Sequence, residues 1–251
     1  MNQSPLPAES RYWARPEDRQ NIVNSLFDRS ASHYDRACDI MAFGGGQRYR
    51  RQALERAGLR SGMRVLDVGT GTGLLAREIL AILGTAGRIV GLDPSWKMMA
   101  EARRHTGLRL VQGVGERLPF ADNQFDFVTM GYALRHVPDL DQTFGEYCRV
   151  LKPRGRVLLL EITKPASTFG LALARVYFGA IVPALTWVGT GSTSAAQLMR
   201  FYWDTIANCV SPQTVLDAMQ RAGLEATGRV VMHGIFSEYG ATRPGQTTPT
   251  S

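Results

Sequence analysis

One stretch of nine residues decides the fold, because an apolar run passes there into alternating glycines: Val65-Leu66-Asp67-Val68-Gly69-Thr70-Gly71-Thr72-Gly73. The run from Val65 to Val68 has the composition of a short buried strand, and helical apolar spacing follows over Leu74–Leu83. Glycines allow backbone N–H groups to approach a ligand closely at the N-terminus of a helix. The stretch therefore predicts a strand, a ligand-binding loop and a helix in direct succession.

Strands and helices keep alternating after this loop. The apolar pattern predicts further strands over Arg88–Leu92, Leu108–Gln112, Phe125–Met130, Gly155–Ile162, Ala226–Met232 and Ile235–Tyr239. It predicts helices over Ser95–Arg104, Asp139–Leu151 and Ser211–Ala222. Because right-handed helical crossovers between parallel strands cover both faces of a sheet, we predict an α/β fold with a doubly wound, mostly parallel sheet of seven strands.

The chain is predicted to form one domain over residues 17–246, preceded by a flexible, proline-containing leader over residues 1–16. Residues 17–62 form an N-terminal helical cap, with helices over Glu17–Leu26 and Arg48–Gly58. Residues 164–208 interrupt the alternation with an apolar segment rich in glycine, alanine and aromatic residues. We interpret this insert as an amphipathic helical lid over the ligand site.

Composition restricts the class of protein. The hydrophobic content of 44% and charged content of 20% over 251 residues are those of a globular protein and exclude a chain that is disordered throughout. The cysteines are scattered, with no CxxC pair, which favours reduced thiols, a cytoplasmic location and no metal site: Cys38, Cys148 and Cys209.

The net charge of +7 comes from arginine, since only three of the 29 basic residues are lysine. The excess reflects either genomic base composition or attraction to an anionic partner, such as a membrane surface or an acidic substrate. The densest arginine run lies between Arg48 and Arg64 and has no aromatic residues at stacking spacing. Nucleic acid is therefore not a predicted partner.

An acidic residue completes the ligand-binding loop. Asp93 closes the second predicted strand, 20 residues after Gly73, where a carboxylate accepts hydrogen bonds from ribose hydroxyls. Asp67 precedes the first glycine by two positions. The glycine spacing is GxGxG, which disfavours a nicotinamide-dependent oxidoreductase, for which GxGxxG is typical.

Four ordered motifs resemble class I S-adenosylmethionine (SAM)-dependent methyltransferases. They are Val65–Gly73, Gly91–Asp93 with Met98 and Met99, Gly115–Phe120 with Asp126–Val128, and Arg149–Arg156. A narrower resemblance to the ubiquinone/menaquinone C-methyltransferases rests on Phe27-Asp28, Ala31–Asp35, Met41–Gly44, Ala133–Val137 and Leu160–Pro165. Three positions depart from that pattern: Val114, Gly131 and His136.

The resemblance implies a Rossmann-like fold, SAM as cofactor, and methyl transfer to a ring carbon of a hydroxylated quinol. It places cofactor contacts at Asp67, Gly69, Gly71, Thr72, Gly73, Asp93, Val114, Gly115 and Gly131. Arg135 and His136 follow the fourth strand and are the candidate catalytic residues, one as a fixed cation beside a phenolate and the other as a general base. No metal is implied.

Other functions remain open at this point. The acceptor could be a small aromatic compound or a phospholipid amine, and a SAM-binding subunit without activity would share the motifs. Residues 169–191 carry one charge, Arg175, but their glycines and Pro183 argue against a membrane span. We predict that the insert receives a lipophilic acceptor from a membrane surface; the alternatives are core-packing helices or a homodimer face.

Overall fold

The computed structural model describes residues 12–13, 15–84, 89–232 and 234–245. Most of the predicted leader, Arg88 and the predicted domain end at residue 246 therefore lie outside the described residues. The strands are β1 (Val65–Val68), β2 (Ile89–Asp93), β3 (Arg109–Gln112), β4 (Phe125–Gly131), β5 (Leu151–Ile162), β6 (Glu225–Met232) and β7 (Phe236–Thr242).

These strands form one sheet in the order β3-β2-β1-β4-β5-β7-β6. The first five strands are parallel, with Val65 of β1 paired to Ile89 of β2 on one side and to Phe127 of β4 on the other. Strand β7 is antiparallel to both β5 and β6. The predicted class, a doubly wound and mostly parallel sheet of seven strands, is confirmed.

Helices cover both faces of the sheet. They are α1 (Arg19–Met41), α2 (Gly46–Arg56), α3 (Leu74–Leu83), α4 (Trp96–Thr106), α5 (Leu140–Val150), α6 (Thr168–Val176), α7 (Val182–Thr190), α8 (Thr193–Ala207) and α9 (Pro212–Arg221). Phe144 of α5 and Met219 of α9 pack in one core cluster, and Leu54 of α2 and Ile79 of α3 in another. All four residues of β1 are buried, as expected for a strand covered on both sides.

A third apolar cluster joins α1 to the insert. Val23 and Ala37 of α1 pack with Phe178 and with Leu198 and Phe201 of α8. A π-helical segment, Tyr177–Ile181, connects α6 to α7, so the insert contains a 23-residue helical rod, Thr168–Thr190. This rod is long and apolar enough to cross a membrane by length and composition, with a mean hydropathy of 1.6, and 28% of its most apolar window is buried inside the protein.

The N-terminal predictions need correction. Helix α1 continues to Met41 instead of ending at Leu26. Its buried residues after Leu26 are Ser30, Ala31, Ala37 and Cys38, and such small side chains give only a weak apolar spacing in the sequence. The leader does not extend to residue 16 as a flexible segment, since the Trp13 side chain is only 4% exposed and packs in the third cluster. The Tyr12 ring meets Phe201 edge-on, with 4.9 Å between ring centroids.

Candidate active site

The glycine loop between β1 and α3 has backbone conformations that require glycine. Gly69 and Gly71 have φ angles of +66° and +56°. A Cβ atom at Gly69 would lie 2.8 Å from the Ala133 Cβ, and one at Gly71 would lie 3.4 Å from the Met98 Cε. Side chains at these positions would fill the space above the loop, so the glycines keep a cradle open at the carboxyl end of the sheet.

Asp67 holds this loop from below. Its carboxylate oxygens accept hydrogen bonds from the Thr70 and Thr129 hydroxyls, each at 2.7 Å. Burial raises the pKa of Asp67 to about 6. The predicted cofactor residue Asp67 therefore lies under the loop, where it orients Thr70 and ties β1 to β4.

Asp93, at the carboxyl end of β2, lies beside the same loop. One carboxylate oxygen accepts the Gly71 N–H and the other accepts the Ser95 N–H, both at 2.8 Å. The side chain is 7% exposed, and burial raises its pKa to about 6. Asp93 lines a cavity, and each carboxylate oxygen keeps a lone pair with which it could accept a hydrogen bond from a ribose hydroxyl.

This donor cavity has a volume of about 90 Å³ and lies between the glycine loop and α1. Gly131 and His136 line it from the sheet side, and Asn24 and Phe27 line it from α1. A strand-end carboxylate beside a glycine cradle, with the Met98 side chain in the wall, is a donor set that fits the ribose and adenine of SAM.

A second cavity of about 230 Å³ adjoins the first, and we call it the acceptor cavity. Its walls are largely apolar and aromatic, and among the described residues that line it only Arg50 is charged. Six residues line both cavities: Tyr34, Gly69, Gly71, Gly131, Tyr132 and Tyr202. The two spaces therefore meet at the glycine loop and the end of β4, as a methyl donor and its acceptor must.

Like Asp67, three further predicted cofactor residues line neither cavity, and their cofactor contacts stay predictions. Val114 and Gly115 line neither cavity: Val114 is 37% exposed and forms an isolated bridge with Arg117, while Gly115 packs against Val68 and Thr143. Gly73 also lines neither cavity, and a Cβ atom there would lie 3.0 Å from the Thr106 Cγ2 of α4. Gly73 therefore allows the start of α3 to lie close to α4.

Thr72 is placed by the N-terminal cap. Its hydroxyl donates a hydrogen bond to the Asp35 carboxylate of α1, which also binds the Arg77 guanidinium. Thr72 lines the acceptor cavity and not the donor cavity. The Asp35 contacts, together with a hydrogen bond from the Ser95 hydroxyl to Asp28, fasten α1 over the glycine loop.

Arg135 lies outside both cavities, and the catalytic role predicted for it stays a prediction. Its side chain is fully buried, and the guanidinium forms an ion pair with Glu161 of β5 and donates a hydrogen bond to the Thr205 hydroxyl at 3.0 Å. Its Cζ lies 4.5 Å from the centre of the Tyr202 ring. The Arg135 side chain lines neither cavity. Its contacts connect the end of β4 to β5 and α8.

His136 lies in the wall of the donor cavity, in an aromatic environment. Its ring stacks on Phe201 with centroids 5.5 Å apart and meets Phe27 edge-on at 5.3 Å. Within the described residues, neither ring nitrogen has a hydrogen-bond partner. Burial, with the nearby charges of Arg135 and Arg19, lowers the pKa of His136 well below 6.5, so the imidazole is neutral near pH 7. Its service as a general base stays a prediction.

Sequence reasoning missed most of the acceptor cavity. The Tyr34 and Tyr202 hydroxyls lie 2.6 Å apart and join α1 to α8 across both cavities. Tyr132 directly follows Gly131 with φ +61°, a strained conformation for a bulky residue that turns the chain at the cavity wall. A signal for Tyr132 was available, since it lies between two predicted site positions, but the partners of Tyr34 were not deducible from local sequence.

Comparison with known proteins agrees with this geometry. The family model for the "ubiE/COQ5 methyltransferase family" matches residues 15–238. The chain is 32% identical to "Ubiquinone/menaquinone biosynthesis C-methyltransferase UbiE" of Francisella tularensis, covering 89% of this chain and 93% of the relative. It is 31% identical to "Demethylmenaquinone methyltransferase" of Symbiobacterium thermophilum, covering 91% and 95%.

A solved structure supports the fold. A SAM-dependent methyltransferase from Aquifex aeolicus superposes with a TM-score of 0.56 at 20% sequence identity, covering 77% of this chain and 88% of that one. The expected class I fold and the expected SAM cofactor are therefore confirmed. With the glycine cradle, the strand-end carboxylate and the matched family model in agreement, the chain belongs to the ubiE/COQ5 methyltransferase family and is a SAM-dependent methyltransferase.

Proposed function

We propose that this enzyme methylates a ring carbon of a hydroxylated quinol with a lipophilic tail. The observation that carries the proposal is the apolar acceptor cavity of about 230 Å³, which meets the donor cavity at Gly69 and Gly131. A flat aromatic ring fits walls built from tyrosine and phenylalanine rings. The names of the two relatives, both quinone-pathway methyltransferases, support the same acceptor class.

The residues around the two cavities have different functions in the proposed reaction. SAM supplies an electrophilic methyl group on a positively charged sulfur. Asp93 and the glycine loop hold the donor, while Tyr34, Tyr132 and Tyr202 exclude water where the cavities meet. The acceptor carbon gains the methyl group and loses its ring proton, and the electron pair of the broken carbon–sulfur bond stays on sulfur.

A labelled-methyl assay tests the acceptor class. The purified protein is incubated with methyl-labelled SAM and, separately, with a reduced prenylated benzoquinone, a water-soluble catechol and phosphatidylethanolamine vesicles. We expect the label on a ring carbon of the prenylated quinol, located by mass spectrometry and NMR. Label found only on nitrogen or oxygen of another acceptor would replace the proposal with that chemistry.

We further propose that the enzyme works in the cytoplasm as a peripheral membrane protein that takes its acceptor from the lipid. The rod Thr168–Thr190 exposes apolar side chains: Phe169 (80%), Leu173 (60%), Trp187 (55%) and Val188 (73%). Its other face, with Ala174, Phe178 and Val182, is buried against the protein, as for a helix that lies in an interface. Arg175 of the rod and Arg200 of α8 are exposed, and anionic lipid would attract both.

The rod adjoins the acceptor cavity. Phe178 lines that cavity, and the neighbouring Tyr177 hydroxyl donates a hydrogen bond to the Met41 carbonyl at 2.8 Å, in the segment that closes the cavity from α1. Phe43, which is 80% exposed, stacks on Tyr177 with 5.7 Å between centroids. These contacts support a path along which an isoprenoid tail leaves the cavity on the side of the exposed rod.

Vesicle flotation tests the membrane contact. The double variant Leu173→Glu/Val188→Glu should bind vesicles of phosphatidylglycerol and phosphatidylcholine at least tenfold more weakly than wild type, because each buried apolar side chain contributes about 1.5–3 kcal/mol. Val230→Glu, at a half-exposed position on β6, is the matched control and should bind as wild type does. Equal flotation of all three proteins would remove the rod as the contact. Loss of a dimer in the double variant, seen by sedimentation, would identify a homodimer face instead.

A further inference from the structure

Arg50 of α2 is a buried cation without a described counterion. Its side chain is 7% exposed, and within the described residues it forms no ion pair and donates no side-chain hydrogen bond. Arg135, which is buried near the site, binds Glu161, and the more exposed Arg56 of the same helix as Arg50 binds the buried Glu238. A buried charge that lacks a partner is costly, so a protein that keeps one has a use for it.

The guanidinium belongs to the acceptor cavity. Of the lining residues that the structure describes, Arg50 is the one that carries a charge. A Cβ atom at Gly46, which also lines the cavity, would lie 3.2 Å from the Arg50 Nη1, and the Arg50 Cζ lies 5.9 Å from the centre of the Tyr132 ring. Tyr132 also lines the donor cavity, so its ring lies between the Arg50 guanidinium and the proposed SAM site.

No described side chain of this cavity supplies the missing negative charge. Burial raises the pKa values of the tyrosine and cysteine side chains that line it, and they remain neutral near pH 7: Tyr34, Cys38, Tyr49, Tyr132 and Tyr202. The buried carboxylates that act on the Tyr132 hydroxyl, Glu161 and Glu238, each bind another arginine. The described lining of the cavity therefore carries one positive charge and no negative charge, which favours an anionic ligand.

We propose that Arg50 binds the ionised hydroxyl of the acceptor, so that this cavity selects phenolates over neutral aromatic compounds. The inference rests on the proposed function. The phenol loses its O–H proton to water and becomes an anion beside Arg50. The negative charge raises the electron density of the adjacent ring carbon, which forms the new bond to the methyl group, and the ring proton then leaves to water.

A coloured phenol tests the binding step without methyl transfer. The ionisation of 4-nitrophenol is followed by absorbance in the presence of excess protein. Wild type should lower the pKa of the bound phenol by about one to three pH units, because an opposite charge at close range favours the anion. Arg50→Gln should abolish this shift and Arg50→Lys should retain part of it. Arg48→Gln, which removes an exposed arginine from the same helix, should leave it unchanged.

The rate profile tests the same group during turnover on the prenylated quinol. In Arg50→Gln the alkaline rise of kcat/KM should move upward by about one to three pH units, while calorimetric SAM affinity and the thermal midpoint stay as in wild type. An unchanged profile, or an unshifted nitrophenol pKa in wild type, overturns the role of Arg50. If the nitrophenol shift depends on Arg50 but no quinol is methylated, the acceptor class is wrong and the phenolate site stands.

Discussion

Asp93→Ala is expected to weaken SAM binding by about 2–4 kcal/mol, or roughly 30- to 1,000-fold. The substitution removes the carboxylate placed to accept the ribose hydroxyls. It also frees the Gly71 and Ser95 N–H groups, which the carboxylate holds at 2.8 Å, so the glycine loop loses its anchor to β2. Both losses weaken the binding of SAM. Substitution of Glu225, which is exposed, should cause neither loss.

Calorimetric titration of the folded variants with SAM measures this effect, with Glu225→Ala as the control. Because burial raises the pKa of Asp93 to about 6, SAM affinity in wild type should also fall as the pH drops through 6 and the carboxylate takes up a proton. A folded Asp93→Ala protein with wild-type affinity would show that the ribose is held elsewhere.

Arg135→Ala should destabilise the protein by about 3–5 kcal/mol, because it leaves Glu161 buried and without its cationic partner. The substitution also removes the hydrogen bond to Thr205 and the contact with the Tyr202 ring, which connect the end of β4 to α8. Glu161→Ala should cost a similar amount for the reciprocal reason.

Denaturant unfolding measures both single variants and the double variant Arg135→Met/Glu161→Leu. The double variant should recover much of the lost stability, since replacing both charges by apolar side chains avoids an unpaired buried charge. An Arg135→Ala protein with the wild-type unfolding midpoint and normal SAM binding, but with no turnover, would show that Arg135 acts in catalysis.

The sheet and the donor loop were predictable because they depend on neighbouring residues. A buried strand, glycines at positive φ and a helix starting directly afterwards are local features, and Asp93 follows from its place at the end of the next strand. The predicted β1 and α3 agree with the structure at both ends. The glycine spacing alone only disfavoured a nicotinamide cofactor, and the motif resemblance added SAM as the expected one.

Sequence by itself therefore determined the α/β fold, the SAM cradle around Gly69, Gly71 and Asp93, and the methyltransferase family. Only the tertiary structure decided which buried charged side chains form ion pairs and which have no described counterion. In the sequence, nothing distinguishes the charge of Arg135 from that of Arg50. In the structure, Glu161 of β5 binds Arg135, while Arg50 of α2 lies in a cavity with no described counterion. The physical reason is that the cost of a charge depends on burial and on partners far away in the chain, and only folding brings those partners together.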